Sequence, residues 1–168
     1  MGQQQLLLLV LGIVVVGLAV TSGIQAFGEM QRRAVADQHT QEAVAMAAEL
    51  IAWWKKPVAM GGGGRTADFS SLTLEDLGYP VTQAVGSRTT YDVNGYRRSL
   101  YRDDSAMPRI HLHPNPWRQV GNTNVEVGVW GPDPACIVHR VGRYSTATNG
   151  WNYNGQTLAN PDPSLCSW

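Results

Sequence analysis

The chain contains little charge, and the charge it has is unevenly distributed. Charged residues make up 15% of the 168 residues, whereas about 25% is usual for soluble domains. The formal net charge is zero, so the chain lacks the basic field that binding to a phosphate backbone requires, and no nucleic-acid partner is predicted. The segment from Gln3 to Gly28 contains no charged side chain at all. The length allows one ordinary domain plus one additional element.

Cysteine is equally scarce, because Cys136 and Cys166 are the only two in the chain. Two thiols cannot form a zinc site by themselves, and their spacing is not that of a C-x-x-C motif. Each cysteine follows a Pro-Asp-Pro turn, at Pro132–Pro134 and at Pro161–Pro163. This repetition predicts a disulfide, which would stabilise the fold by about 3–4 kcal/mol through loop closure and indicate an oxidising compartment. Two free buried thiols are the alternative.

Motifs for catalysis and phosphate binding are missing as well. Without a Gly-x-Ser-x-Gly elbow no nucleophile can be assigned, so the chain is not predicted to be an enzyme and no catalytic residue is named. The glycines Gly61 to Gly64 lack the following Lys-Ser/Thr of a phosphate loop and follow a helix. We interpret this glycine run as a hinge, and no cofactor is predicted.

Metal and sugar sites are considered and not predicted. His111 and His113 share one face of a predicted strand and His139 lies on another, but no nearby Cys or carboxylate completes an obvious site. The run Asp103–Ser105 lacks the ligand pattern of an EF-hand, so we interpret it as a solvated turn. Four tryptophans of the C-terminal half are interpreted as core or subunit-contact residues rather than as a sugar-binding platform: Trp117, Trp130, Trp151 and Trp168.

The strongest positive feature is a long apolar segment near the N-terminus. Leu6 to Val20 is apolar without interruption, and apolar residues continue to Phe27, which gives the roughly 20 residues that a helix needs to cross a bilayer. The segment is apolar on all sides and has no face suited to water. A cleaved signal peptide is the alternative, but a basic n-region and an Ala-x-Ala-like cleavage site are both missing. We therefore expect a membrane helix that is retained in the mature protein.

The helical pattern continues as an amphipathic segment from Glu29 to Lys56. Pro57 and the glycine run end it. A single helix from Gln3 to Lys56 would be about 80 Å long, whereas a head of this size has a radius of gyration of about 13 Å. Half of the helix therefore needs lipid, or copies of itself, to cover it. The apolar positions that recur at steps of three and four are Met30, Ala34, Val44, Ala47, Ala48 and Ile51.

Four glycines punctuate the apolar half of the helix. They are either small residues at a helix–helix contact or points at which a weakened helix can stretch when lipid is exchanged for neighbouring chains. Both interpretations favour a helix that packs against other helices. The glycines are Gly12, Gly17, Gly23 and Gly28.

The remainder of the chain predicts a β-rich head. Asn94-Gly95 joins two alternating runs and predicts a type I′ hairpin, and we expect Trp53 or Trp54 to pack under the sheet. The fold class is α+β, with the long N-terminal helix packed on a small antiparallel sheet of about four strands and a C-terminal disulfide loop. The predicted strands are Thr89–Val93, Tyr96–Arg102, Arg109–His113, Asn124–Trp130 and Cys136–Val141, followed by a long loop from Arg143 to Trp168.

The predicted organisation has three parts. Residues 1–57 form the helix, with 1–28 as membrane segment and filament core and 29–57 as amphipathic continuation. Residues 58–65 form the hinge and 66–168 the head.

This layout resembles that of type IV pilins and related type IV pilin-like filament subunits. The shared features are the charge-free N-terminal run, the amphipathic continuation, the Gly-rich exit into a β-sheet head and the C-terminal disulfide loop. The resemblance in sequence is confined to the helix, up to Lys55. It implies a structural subunit of an extracellular filament, assembled as a helical homopolymer. The residues expected in the filament core are Gln5, Leu6, Leu9, Ile13, Val16, Val20, Ile24 and Phe27.

The resemblance also implies a location and partners. The subunit would be stored in the cytoplasmic membrane with its head outward and then extracted into a filament on the cell surface. The implied partners are other copies of the chain, an assembly ATPase, a platform protein and a prepilin peptidase. The role of such a filament is open among adhesion, motility, DNA uptake and conduction.

Two features depart from the family pattern. Family members usually carry Glu at the fifth mature position, where its carboxylate offsets a neighbour's buried N-terminal amine, but Gln5 stands there if Met1 is the first mature residue. A neutral amide can accept a hydrogen bond from an ammonium group but cannot cancel its charge. The basic leader ending in Gly is also missing. Either it preceded Met1, or Met1-Gly2 is its remnant and Gln3 starts the mature chain.

Two other functions fit the same sequence. One is a minor pilin or a pseudopilin of a secretion system, which caps or primes a short fibre. The other is a monomeric membrane-anchored extracytoplasmic binding domain. The long amphipathic continuation favours a filament subunit over a simple anchor, because an anchor needs no such extension.

Overall fold

The helix predicted at the N-terminus is present as one element. The computed structural model describes residues 2–102, 107–116 and 122–168, so Asp103–Ser105 and Trp117 lie outside the described residues. The helix α1 covers Gly2–Lys55. The chain divides into two compact units, Met1–Val35 and Ala36–Trp168. The first unit is the N-terminal part of α1, and the second contains its C-terminal part and the sheet.

Backbone amides of the glycine run satisfy carbonyl groups at and just beyond the C-terminal end of α1. The Gly63 amide donates to the Trp53 carbonyl and the Gly64 amide to the Lys56 carbonyl, both at 2.9 Å. Gly64 has a positive φ of 63°, and a Cβ on Gly62 would lie 2.3 Å from the Lys56 carbonyl oxygen. This close return of the chain explains the glycines. Residues 58–65, interpreted as a hinge, thus also form the C-terminal cap of the helix.

Within the described residues, seven strands form one antiparallel sheet in which each strand pairs with the next along the chain. The α+β prediction is confirmed, but the prediction of about four strands is wrong. The short edge strands were missed because neither carries alternating apolar side chains. The strands are β1 Gln83–Val85, β2 Arg88–Val93, β3 Tyr96–Tyr101, β4 Arg109–Pro114, β5 Thr123–Val129, β6 Ile137–Ser145 and β7 Gly150–Asn152.

Two boundaries near the C-terminus differ from the prediction. Cys136 lies in a 3₁₀ turn, Pro134–Cys136, rather than at the start of a strand, because Asp133 caps this turn by accepting from the Ala135 amide at 2.8 Å. The tail predicted as one long loop from Arg143 contains the end of β6 and all of β7. A further 3₁₀ turn, Glu75–Leu77, lies between the glycine run and β1.

The β2–β3 hairpin confirms the predicted type I′ turn. Asn94 and Gly95 have φ values of 52° and 76°, the positive values that both central residues of this turn require. Val93 pairs with Tyr96 across the turn. The turn fixes the register of the hairpin and therefore which side chains face α1.

The C-terminal part of α1 packs on one face of the sheet. Its buried stripe consists of Ala43, Met46, Ala47 and Leu50, each fully buried. Trp53 is also in the core, as predicted. The sheet contributes the side chains that face α1 from its three central strands, namely Leu100, Ile110, Leu112, Val125, Val127 and Val129.

The buried face of α1 differs from the one predicted from the apolar spacing. Of the six positions chosen, Ala47 and Ile51 are buried, whereas the other four are exposed: Met30, Ala34, Val44 and Ala48. Small apolar residues occur on both faces of this segment, so their spacing alone did not identify the face that meets the sheet.

Polar contacts also join α1 to the sheet. The Arg98 guanidinium binds both carboxylate oxygens of Glu42, with the Nη2–Oε2 distance at 2.9 Å. The His39 ring packs edge-on against Tyr96, with ring centroids 4.5 Å apart. A two-pronged guanidinium–carboxylate pair has a fixed geometry, so these contacts orient the helix on the sheet.

The predicted disulfide between Cys136 and Cys166 is present, with a Cα–Cα distance of 5.3 Å. It links the C-terminal tail to the 3₁₀ turn that precedes β6. The Trp168 ring lies 4.7 Å from the Phe69 ring and 5.4 Å from the Trp54 ring, centroid to centroid. The disulfide therefore holds an aromatic cluster against the C-terminal end of α1.

We expect the double variant Cys136→Ser, Cys166→Ser to be less stable than the wild type by about 3–4 kcal/mol, because the unfolded chain is no longer closed into a loop. Urea unfolding of the full chain in detergent, followed by tryptophan fluorescence, measures this change. As a control, a reducing agent should lower the wild-type midpoint to that of the variant and leave the variant unchanged. Equal midpoints for variant and oxidised wild type would contradict the prediction.

Candidate functional site

The first candidate site is the apolar helix segment, which we define as Leu6 to Phe27 of α1. It belongs to the first unit, and its large side chains are exposed, for example Ile13 at 65% and Phe27 at 62%. By length and composition this helix could cross a membrane. The first charged residues beyond the segment form ion pairs with one another. Glu29 Oε2 lies 3.7 Å from Arg32 Nη1, and Glu29 Oε1 lies 3.5 Å from Arg33 Nε. These charges mark the polar end of the segment.

The residues predicted for the filament core share one face of this helix. At 3.6 residues per turn they fall within an arc of roughly 100°, starting at Gln5 and ending at Phe27. All eight are exposed. They form a continuous apolar stripe along the helix and leave Gln5 as its one polar member. The prediction that this stripe contacts neighbouring copies stays a prediction.

The three glycines of the segment, and Gly28 just beyond it, have no packing role within the described residues. A Cβ added at Gly12, Gly17 or Gly23 would meet nothing within 4 Å, and one at Gly28 would meet the Arg32 side chain at 3.9 Å. Glycine in a helix interior costs about 1 kcal/mol relative to alanine. The described part of the chain therefore gives no steric reason for these glycines.

The second candidate site is a layer of polar side chains on the sheet face opposite α1, which we call the outer face. Glu126 lies at its centre and its side chain is only 6% exposed. Its carboxylate accepts from Arg140 Nε and lies 3.1 Å from His111 Nδ1. The guanidinium of Arg140 stacks on the Tyr153 ring at 3.9 Å. A charge this deeply buried is tolerated because it is paired.

A cavity of about 320 Å³ opens on the outer face. It is lined by residues of β2, β3, β4 and β5 and by two residues of β7. Its lining includes cationic, aromatic and imidazole side chains together with one carboxylate. The lining residues are Arg88, Arg97, Tyr101, His111, His113, Glu126, Gly150 and Trp151.

The histidines of this face are closer to a carboxylate than the sequence indicated. The β4–β5 register places His111 directly opposite Glu126. The expectation from the sequence that no carboxylate lies near these histidines is therefore wrong. His139 pairs with Val127, whose side chain faces the core, so it lies on the other side of the sheet. No group of three or more potential metal ligands is found among the described residues.

The predicted tryptophan set is divided between two places. Trp130 and Trp168 lie beside the disulfide, where they line a smaller cavity of about 210 Å³. Trp130 donates from its indole nitrogen to the Leu158 carbonyl at 2.9 Å. Trp151 instead belongs to the outer face. The described tryptophans therefore do not form one platform.

Burial holds the imidazole of His111 in its neutral form. Loss of hydration lowers the pKa of His111 to about 4, although the nearby Glu126 acts in the opposite direction. Its Nε2 is buried without a hydrogen-bond partner among the described residues. The pKa of His113 is also lowered, again chiefly by burial. At neutral pH the two imidazoles therefore add no charge to the outer face.

The same burial makes the stability of the fold dependent on pH. His111 is neutral in the folded chain, whereas its pKa in the unfolded chain is 6.5. Its stabilisation is complete above pH 6.5 and is lost as the pH falls towards 4. A shift of this size corresponds to about 3 kcal/mol.

We expect the variant His111→Gln to lose less stability than the wild type between pH 7 and pH 4.5, because it has no imidazole to protonate. Urea unfolding at a series of pH values, followed by tryptophan fluorescence, measures the slope. The variant His139→Gln is the matched control, since His139 is exposed and should keep the wild-type slope. The prediction fails if both variants have the same pH dependence.

Comparison of the chain with models of known protein families, with curated proteins and with solved structures gave no match. The architecture itself is consistent with that of a pilin-like protein. It combines a long apolar N-terminal helix, an antiparallel sheet and a disulfide near the C-terminus.

Proposed function

We propose that the chain is a structural subunit of an extracellular filament of the type IV pilus kind. The observation that carries the proposal is the exposed apolar helix segment, whose core stripe runs unbroken from Leu6 to Phe27. Burial of one Leu, Ile or Val side chain contributes about 1.5–3 kcal/mol. A segment with so many exposed side chains of this kind needs a cover of lipid or of other chains.

The glycines favour other copies of the chain as the final cover. Small residues allow helix backbones to approach closely in apolar surroundings. Lipid gives no reason to accept four glycines in a helix, and the described residues give none either. A bundle of equivalent helices supplies one. Assembly would then exchange lipid contacts for contacts between equivalent stripes.

This proposal implies a location and partners for the chain. Before assembly the apolar helix segment lies in the cytoplasmic membrane, and the disulfide-bonded unit lies on the oxidising side. The main partner is the chain itself, as a helical homopolymer on the cell surface. Extraction from the membrane requires assembly machinery, and removal of a leader requires a prepilin peptidase.

Two observations favour a different function, that of a membrane-anchored binding domain. The amphipathic part of α1 packs on its own sheet from His39 onward, so it leaves less surface for neighbours than the sequence suggested. The outer face also carries a cavity. Both features suit a monomeric anchored domain. Such a domain requires no contact between helices of different copies.

Microscopy of filaments sheared from producing cells separates the two functions. We expect filaments that contain this chain and that disappear when its gene is deleted. Chemical crosslinking in intact cells should yield a ladder of multimers. Membrane-bound protein that is only monomeric, with no filaments, would contradict the proposal.

We expect the double variant Gly12→Leu, Gly23→Leu to enter the membrane normally but to form few or no filaments, because added side chains keep neighbouring backbones apart. Leucine is apolar and favours helix, so neither insertion nor helix formation should suffer. The control variant Val10→Leu, Val14→Leu adds apolar volume at positions that already have side chains and should form filaments. Normal filaments from the glycine variant would argue against close helix packing.

A further inference from the structure

We propose that the cavity on the outer face binds a single acidic sugar unit, with Arg88 as the residue that recognises its carboxylate. This inference goes beyond the proposed function, since it concerns the sheet and not the helix. It rests on a cationic group with no carboxylate partner, an aromatic wall and an uncharged hydrogen-bond acceptor that line one cavity. Each of these features matches one part of the ligand.

The charge of the cavity is not balanced within the described residues. The charge of Arg97 is paired, because its Nε and Nη2 donate to the two carboxylate oxygens of Asp92 at 2.8 Å. Glu126 is likewise held by Arg140 and His111. Arg88 forms no ion pair with a carboxylate of the described residues, and its guanidinium donates to the Tyr101 hydroxyl at 3.1 Å. Arg88 is therefore the group available to an anion.

The Arg88 side chain is also held in position. Its guanidinium lies 5.6 Å from the centre of the Tyr101 ring, and Tyr101 itself packs on His111 with ring centroids 4.4 Å apart. A guanidinium held in this way loses little additional freedom when it binds a planar carboxylate with two parallel hydrogen bonds. This geometry favours a carboxylate over a spherical anion.

The second feature is a fixed hydrogen-bond acceptor. His113 Nδ1 lies 3.0 Å from the Pro114 carbonyl oxygen. A carbonyl oxygen only accepts, so Nδ1 must carry the proton. The pKa of His113 is lowered, chiefly by burial, so the ring is neutral at pH 7 and Nε2 has a free lone pair. It suits a hydroxyl group of the ligand.

The third feature is the indole of Trp151, which lies 6.3 Å from the His113 ring, centroid to centroid. An aromatic ring at the side of a polar cavity provides an apolar surface for the C–H face of a sugar. The volume of about 320 Å³ lies at the lower end of the usual range of about 300–1,000 Å³ for ligand sites. It fits one ring rather than a longer chain.

Calorimetric titration of the full chain in a non-ionic detergent at pH 7 and low salt tests the site. The probes are D-glucuronate, D-glucose and acetate. We expect glucuronate to bind with a Kd in the millimolar range and glucose and acetate at least tenfold more weakly, because glucose lacks the carboxylate and acetate lacks the ring. Added salt should weaken glucuronate binding. Equal affinity for glucose and glucuronate, or no heat with glucuronate, overturns the proposal.

Variants of the cavity residues test which side chains bind glucuronate. Arg88→Gln should weaken glucuronate binding at least tenfold, and Trp151→Ala should reduce it to the level of acetate. Arg143→Gln is the matched control, because it removes the same charge from an exposed position of β6, and it should bind as the wild type. An equal loss in Arg88→Gln and Arg143→Gln would indicate a general charge effect and overturn the assignment.

Three further measurements separate the possible outcomes. The unfolding midpoint of each variant shows whether it is folded, and Arg88→Lys, which keeps the charge but not the paired donors, should bind with intermediate affinity. Filament formation by Arg88→Gln should be unchanged, so failure of the sugar site and failure of the proposed function are distinguishable. Loss of filaments in this variant, without glucuronate binding by the wild type, would make the cavity a contact between copies and overturn the proposal.

Discussion

A helix that is apolar on every side is stable only where water is excluded from it, and this constraint governs the whole chain. Leu6 to Phe27 has no charged side chain and forms the greater part of the first unit. Lipid and equivalent helices are nearly equal as apolar surroundings, so the hydrophobic effect does not decide between them. In the proposed filament, close packing between helices must therefore favour neighbouring chains over lipid. Such packing depends on small residues. The glycines of the segment would then matter more to assembly of that filament than its leucines do.

The two faces of the sheet follow from the two-residue period of its strands. Val125, Val127 and Val129 alternate with Asn124 and Glu126, so one face is apolar and is covered by α1 and the other is polar. All seven residues of β5 are buried, since the C-terminal region also covers the outer face. A sheet covered on both sides needs partners for every charge it buries. The pairing of Glu126 with Arg140 and His111 meets this need.

Short sequence motifs predicted more of this fold than did features that depend on residues far apart in the chain. Asn94-Gly95 specified its hairpin because the turn type requires positive φ at both residues, and the two Pro-Asp-Pro turns indicated the disulfide. The edge strands β1 and β7 were missed because exposed short strands carry no alternation. The cavity was missed for a different reason: Arg88, His113 and Trp151 come from three strands, and only the sheet register brings them together. The nearest available signal was the His111–His113 alternation, which gave their shared face but not their neighbours.

Stability alone does not explain the polar layer of the outer face. A buried ion pair is often no more stabilising than apolar residues of the same volume, because both partners lose their hydration. The contacts of Glu126 and the neutral, desolvated His111 therefore represent a cost that an apolar layer would avoid. Arg88 lies on the same face, and its charge is not matched by a carboxylate of the described residues. A face that retains such groups is better suited to binding a polar ligand than to holding the sheet together. Assembly through the helix and recognition through the sheet would then use different parts of the same chain.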